Sequence, residues 1–400
     1  MENLGKLKAQ LTKNKVPCWV LYCEEHNDFV FKRFVSAGAT AGAWAVVTPE
    51  AGFLIVHELD FDNVKGLNGW KVLSYKGKED LGGRLKFVFE KIGHPAVVAL
   101  NYSKIGMAKT DIVGFGLYKR LTKRIASIYR EVGKNVRFDS AEFLIIGLFD
   151  SKGEKTIERM KIAAGIANEI LISAFSEIRE GQTEIQIAGI VHSLAEGRTV
   201  EGAKIDFAWD KAGCPIVLVG DNLTKGGHAN PSSTQIKKGD TVYFDFGVTL
   251  TFDDGERVAS DIQRMGYFLR DGETSAPPAV QKVFDTLVQA IDKGMEVLKS
   301  GVLGYKVDEA VRGVITGAGY PNYNHGTGHA IGEDAHGIGV ALSVKAGALA
   351  KLPIAENGTY TIEPRIATPN GGSLEEMVCV RAGGAEFISA RQTELMLIRG

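Results

Sequence analysis

The sequence predicts an α/β domain over residues 1–150 followed by an α+β domain over residues 151–400. Three observations carry this. Short apolar runs alternate with amphipathic stretches through the first 150 residues. A polar break, Asp150-Ser151-Lys152-Gly153, then precedes a long helical pattern. Beyond it, helices come in pairs with antiparallel strand signals between them. A length of 400 residues accommodates two domains, each with its own core.

In the first domain the strands are Trp19–Tyr22, Ala43–Val47, Phe53–Val56 and Ala96–Leu100, bounded by Gly, Pro, Asn and charged residues. Amphipathic stretches lie at Leu4–Leu11 and Arg84–Ile92. No catalytic constellation is visible there. The second domain opens with a helix whose buried face reads Ile157, Met160, Ala164, Ile170, Leu171 and Ala174, ending before Gly181. Thr183 then offers an N-cap, with Gln186 as capping-box partner, for a helix running to about Glu196. Strands follow at Pro215–Val219 and Thr241–Leu250. Asp253-Asp254-Gly255 reads as a hairpin turn into a partner strand, Val258–Leu269. Helices are expected at Ala279–Lys299 and Lys306–Thr316, and closing strands at Thr359–Ile366 and Ser373–Arg381.

Charge is balanced, with 47 Lys and Arg against 48 Asp and Glu, so the broad basic face that nucleic-acid binding needs is not expected. The most apolar runs have strand length and are too short to cross a membrane, and Met1–Asn14 lacks the pattern of a signal peptide. A cytoplasmic protein is expected. The four cysteines form no CxxC pair and read as buried apolar residues of a reducing compartment.

The chemistry concentrates in the second domain. His325, His329 and His336 fall within HGTGHAIGEDAH, where glycines let backbone approach a ligand and expose side chains. Asp245 interrupts the apolar strand TVYFDFG, and Asp261 lies in VASDIQRMGYF. Glu363 interrupts TYTIEPRI, and Glu375 and Glu376 interrupt SLEEMVCV. One such acid is explained by an edge strand facing solvent. Several acids embedded in apolar strands repel one another unless a cation lies among them. Oxygen-rich donors with one imidazole suit Mn, Fe, Co or Zn rather than a thiolate-bound structural zinc.

In order and context the stretches GDTVYFDFG, SDIQR, HGTGHAIG, TIEP and SLEEMV resemble the pita-bread metallopeptidases, a family that includes methionine aminopeptidase, aminopeptidase P and prolidase. The resemblance covers residues 154–400. The first domain is similar, in position and coarse pattern, to the amino-terminal domain of the creatinase, prolidase and aminopeptidase P branch. It implies a pita-bread catalytic domain holding two divalent ions, with metal ligands at Asp245, Asp261, His329, Glu363 and Glu375. Asp261 and Glu375 would bridge the ions, and Glu376 would stand beside the ligands. The activity implied is hydrolysis of amino-terminal, Xaa-Pro peptide bonds by a hydroxide held between the two ions. Glu363 would then shuttle a proton and His336 would bond the scissile carbonyl. His228, in GDNLTKGGHA, would contact the substrate, and His325 would line the pocket for the residue after the cut. A short peptide is the expected partner, and the family implies a homodimer.

Some positions differ from the family pattern. The Asp245–Asp261 segment is longer than usual, which would bring Asp254, Glu256 or Arg257 toward the cleft. A competing alignment makes Glu256 the second ligand, whereas the SD-x-x-R context favours Asp261. Ala330, Gly337, Arg365 and Ser373 also replace residues common in the family. A dipeptidase needs a cation for the substrate carboxylate, and Arg365, Arg257 and Lys345 are the candidates. Alternatives of other classes are a non-catalytic peptide-binding module on the same fold and a metal-free, creatinase-like amidinohydrolase. Both would be expected to have an eroded ligand set, and here all five positions are filled.

Overall fold

The computed structural model describes residues 3–225 and 229–399. The chain divides into two compact units, Met1–Leu148 and Phe149–Gly400.

The amino-terminal unit is built on one six-stranded sheet. Its helices are α1 (Asn3–Asn14), α2 (Phe29–Phe34), α3 (Glu58–Val64), α4 (Lys78–Lys91), α5 (Phe115–Glu131) and α6 (Glu142–Phe149). Its strands are β1 (Trp19–Cys23), β2 (Ala43–Val47), β3 (Gly52–His57), β4 (Trp70–Tyr75), β5 (Val97–Leu100) and β6 (Arg137–Ser140), in spatial order β4-β3-β2-β1-β5-β6. β1 and β2 are fully buried, as their unbroken apolar runs require. β4 and β6 are the two edges of the sheet and half-exposed. They therefore lack the apolar run by which the central strands are recognised. Three of the polar side chains buried here are paired in a chain. Trp19 donates to Asn101 Oδ1 at 2.7 Å, Asn101 donates to Asp28 Oδ2 at 2.6 Å, and Asp28 caps α2 by accepting from the Phe31 N–H.

The second unit opens with α7 (Glu154–Glu177) and α8 (Glu184–Glu196), joined through the Thr183–Gln186 capping box. Strands β7 (Ala203–Phe207), β8 (Ile216–Val219), β9 (Thr241–Phe246), β10 (Val248–Phe252), β11 (Arg257–Ala259) and β12 (Ile262–Phe268) follow. Next come the helix pair α9 (Pro278–Val297) and α10 (Gly304–Gly317). The closing strands are β13 (Thr359–Ile362), β14 (Arg365–Ile366), β15 (Gly372–Ser373), β16 (Glu376–Arg381), β17 (Gly384–Phe387) and β18 (Met396–Ile398). Sheets β18-β12-β9-β8 and β11-β10-β7 pack against α7 and α8 through one apolar core, and β13-β16-β17 lies beside α9 and α10 in a second. This is a pita-bread catalytic domain preceded by an amino-terminal α/β domain. Among the described residues no helix is long and apolar enough to cross a membrane.

The expected single long hairpin is broken midway. β9 pairs with β12 in one sheet, whereas β10 and β11 form the tip in another. The break lies where Gly247 meets Ser260, so closely that a Cβ at Gly247 would come within 2.0 Å of the Ser260 carbonyl oxygen. The Ser260 hydroxyl accepts the Val248 N–H at 2.9 Å. Asp261 sits immediately after this crossing, at the mouth of β12.

Candidate metal centre

Each acid of the centre lies on a strand or flanks one. Asp245 lies on β9 opposite Gln263 of β12. Asp261 and Gln263 are two apart in extended chain and share a face. Glu375, just before β16, exchanges two backbone hydrogen bonds with Gln263, each of 3.3 Å. Glu363 follows β13, and its N–H donates to the Thr327 carbonyl at 2.7 Å. The HGTGHAIG segment runs along β13, with Thr361 N–H donating to the His329 carbonyl at 3.0 Å and His329 N–H to Thr361 Oγ1 at 3.2 Å. Glycine is required for that approach, because a Cβ at Gly328 would come 2.0 Å from the Thr361 carbonyl oxygen.

The side chains converge on the His329 imidazole. Its Nε2 is 3.6 Å from Glu363 Oε1, 3.8 Å from Asp261 Oδ2 and 3.9 Å from Glu375 Oε1. One ligand atom each from Asp261, His329 and Glu375 lie within 4.8 Å of one another. His329 Nδ1 faces the Ala330 carbonyl at 3.2 Å, which places the proton there and leaves the Nε2 lone pair toward the acids. Burial, followed by the neighbouring His336, pushes the His329 pKa down to about 3, so the ring is neutral. Asp245 joins the group through the Gln263 amide, which donates to Asp245 Oδ2 at 3.2 Å and Glu363 Oε2 at 3.3 Å. The Tyr243 hydroxyl donates to the same Asp245 oxygen at 3.0 Å.

Electrostatics shows that the acids are short of positive charge. Burial first, and then the charges of Glu375 and Asp245, raise Asp261 well above the usual carboxylate range. Glu363 is raised by burial and by Asp245 and Asp261, and Glu375 by burial and by Glu363 and Asp245. Asp261 Oδ1 and both Glu375 carboxylate oxygens are buried without a hydrogen bond of normal geometry. Buried carboxylate oxygens short of well-aligned donors, grouped around a neutral imidazole lone pair, fit divalent cations.

The other expected site residues fall as follows. His336 lies against the His329 ring, centroids 4.4 Å apart. His325 Nδ1 is 3.8 Å from Glu363 Oε2, and its ring lies 4.9 Å from Tyr323. His228 lies outside the described residues. Glu376 turns away from the cluster and pairs with Arg264 at 3.2 Å. The longer hairpin does not reach the cluster. Glu256 accepts from Thr156 at 2.5 Å and also pairs with Arg159, while Asp254 pairs with Lys155 and Arg159. Arg257 faces Asp334 at 3.5 Å. Arg365 is buried and donates to the Leu223 and Lys225 carbonyls at 3.0 and 2.7 Å. Lys345 donates to the Asn324 carbonyl at 2.7 Å, next to His325. Tyr243 and Gln263 are not among the residues the motifs single out. Strand alternation was the available signal, since each stands two positions from an expected ligand.

A carboxylate and imidazole cluster carried on a pita-bread scaffold defines a metallohydrolase. The chain belongs to metallopeptidase family M24, whose sequence model matches residues 158–389. A Xaa-Pro dipeptidase of Pyrococcus horikoshii is 22% identical over 400 residues, covering 99% of both chains. The fold is shared with dipeptidase PepE of Mycobacterium ulcerans at a TM-score of 0.70 and 20% identity, covering 100% of this chain and 97% of that one. It is also shared with an X-Pro aminopeptidase of Thermotoga maritima at a TM-score of 0.66 and 21% identity, covering 98% and 100%.

Proposed function

We propose that this chain hydrolyses amino-terminal Xaa-Pro peptide bonds, as a prolidase or an aminopeptidase P, with two divalent ions held by Asp245, Asp261, His329, Glu363 and Glu375. The observation that carries this is the convergence of Asp261, Glu363 and Glu375 on the His329 lone pair, with buried acceptor oxygens left unsatisfied. The full-length match to a relative named Xaa-Pro dipeptidase supports the substrate class.

When bound, the ions (Mn, Co, Zn or Fe) supply Lewis-acid polarisation of the carbonyl and a water acidic enough to attack near neutral pH. In this reading the protein's own groups do the rest. Glu363, central and proton-hungry, carries a proton to the departing nitrogen. His336, against the His329 ring, donates to the oxyanion, and His228 holds the substrate. His325, between Tyr323 and Glu363, lines the pocket for the proline ring. A dipeptide also brings a carboxylate to be matched by a cation, and Lys345 stands near His325 through the Asn324 carbonyl. A cytoplasmic homodimer belongs to the same reading.

The test is a panel of Xaa-Pro dipeptides beside Xaa-Pro tripeptides and their alanine counterparts, assayed before and after chelation. Chelator-sensitive cleavage that requires proline is expected, and the preferred length separates dipeptidase from aminopeptidase. Cleavage that persists with every ion removed, or that ignores proline, would sink the reading.

A further inference from the structure

Gln263 stands among three of the five candidate ligands. Its backbone is opposite Asp245 and pairs in both directions with Glu375, while its side chain bonds Asp245 and Glu363. We propose that Gln263 is a positioning residue for the metal centre: its amide holds the Asp245 and Glu363 carboxylates in place for ion binding and so sets ion affinity. The inference rests on the metallopeptidase reading and deepens it.

The argument comes from what the amide gives up. Gln263 is 4% exposed, and its Nε2 reaches both carboxylates, at 3.2 and 3.3 Å. Its Oε1 is buried and accepts nothing. A buried acceptor without a partner carries its full desolvation penalty. Turning the amide over would not help, because the oxygen would then face two carboxylate oxygens. Only one orientation is tolerable, and it serves the ligands at the expense of the amide's own oxygen. Local inconsistency of this kind is characteristic of functional sites. An amide placed for packing alone would be expected to bond at both ends. Tyr243 reinforces the arrangement by donating to the same Asp245 oxygen. Partners that orient ligands in this way are typically worth 10–100-fold in metal affinity.

Gln263→Met keeps the side-chain length while removing both the donor and the orphaned oxygen, and Gln263→Ala removes the same groups along with bulk. Metal-free parent and variants are titrated with Mn²⁺ by calorimetry and with Co²⁺ by visible absorption, and their metal-free melting is compared. The parent is expected to bind, and both variants to weaken at least one binding event about ten- to a hundredfold with shifted Co²⁺ bands. Metal-free Gln263→Met is expected to melt no lower than the parent. Affinity within twofold of the parent, with unchanged Co²⁺ bands, overturns the proposal. Lowered metal-free melting in both variants also overturns it, since the role would then be structural. A parent that takes up no divalent ion removes the metallopeptidase reading itself, and this inference with it.

Discussion

Arg264 and Glu376 face one another across β12 and β16 with neither side chain exposed, Nη2 to Oε2 at 3.2 Å. The pair joins two sequence motifs, SDIQR and SLEEMV, on the side of β12 away from Gln263. Arg264 Nη1 also donates to the Glu375 carbonyl at 2.9 Å, and Glu376 accepts from Gln392 N–H at 2.8 Å and Ser389 Oγ at 2.6 Å. Removing one partner leaves the other charge buried and unmatched. Glu376→Ala is expected to cost about 3–5 kcal/mol in chemical denaturation. Replacing both residues with apolar side chains of similar volume is expected to recover much of that loss. A single substitution costing under about 1 kcal/mol would show that the pair is not closed to solvent.

Removing metal ions exposes the pH dependence of the cluster. Asp261, Glu363 and Glu375 have folded pKa values raised well above their unfolded ones, so the metal-free folded state binds more protons and loses stability as pH rises. His329 works the other way. Its pKa is lowered to about 3, so its contribution is lost as pH falls below the unfolded histidine value of about 6.5. Above that value the carboxylates act alone. Metal-free melting temperature is therefore expected to fall between about pH 6.5 and 8. With excess Mn²⁺ the trend is expected to flatten or reverse, because ions displace those protons. Thermal melts in chelator and in Mn²⁺ across this range check it, and a metal-free melting temperature that rises with pH would contradict the crowding of these acids.

The choice between Glu256 and Asp261 rests on where the hairpin breaks. Asp261 stands 3.8 Å from His329, whereas Glu256 is held by Thr156 and Arg159 on α7. Asp261→Ala is expected to abolish chelator-sensitive peptidase activity. Glu256→Ala is expected to keep most of it, since Glu256 bonds α7 and makes no contact with the cluster. Parallel assays of the two variants decide the matter, and the reverse pattern would mean that the ligand assignment is misaligned.

These cases show what was legible in the sequence. Central strands such as β1 and β2 have no solvent face and appear as apolar runs, whereas β4 and β6 are half-exposed edges and do not. α8 was visible because its Thr183–Gln186 box is local chemistry. The acids stood out because charge inside an apolar strand is costly. The break at Gly247 was hidden, because it depends on how closely Ser260 approaches from the opposing arm of the hairpin, which residue types alone do not show. Gln263 was hidden for a related reason: an amide near an acid means little until its partner just past β13, Glu363, is in place.

His325 gives the last prediction, through a residue that does not touch it. Asp308 is fully buried on α10 and accepts from Arg312 Nε at 2.7 Å and from the Val344 N–H at 2.6 Å, as well as from the Thr327 hydroxyl. Arg312 in turn donates to the Asn322 side chain, to the Tyr323 carbonyl at 2.7 Å and to the His325 carbonyl. One buried ion pair is therefore a main fastening of the segment that presents His325, while His329 is fastened to β13 through Thr361. Asp308→Ala strands the Arg312 charge and is expected to cost about 3–5 kcal/mol. It also loosens the wall of the proposed substrate pocket, while the hold of β13 on His329 stays in place. KM for an Xaa-Pro substrate is accordingly expected to rise several-fold, while Mn²⁺ affinity stays within about threefold of the parent. Steady-state kinetics paired with Mn²⁺ calorimetry test this, and a loss of ion affinity matching the rise in KM would show that the two halves of HGTGHAIG are not held independently.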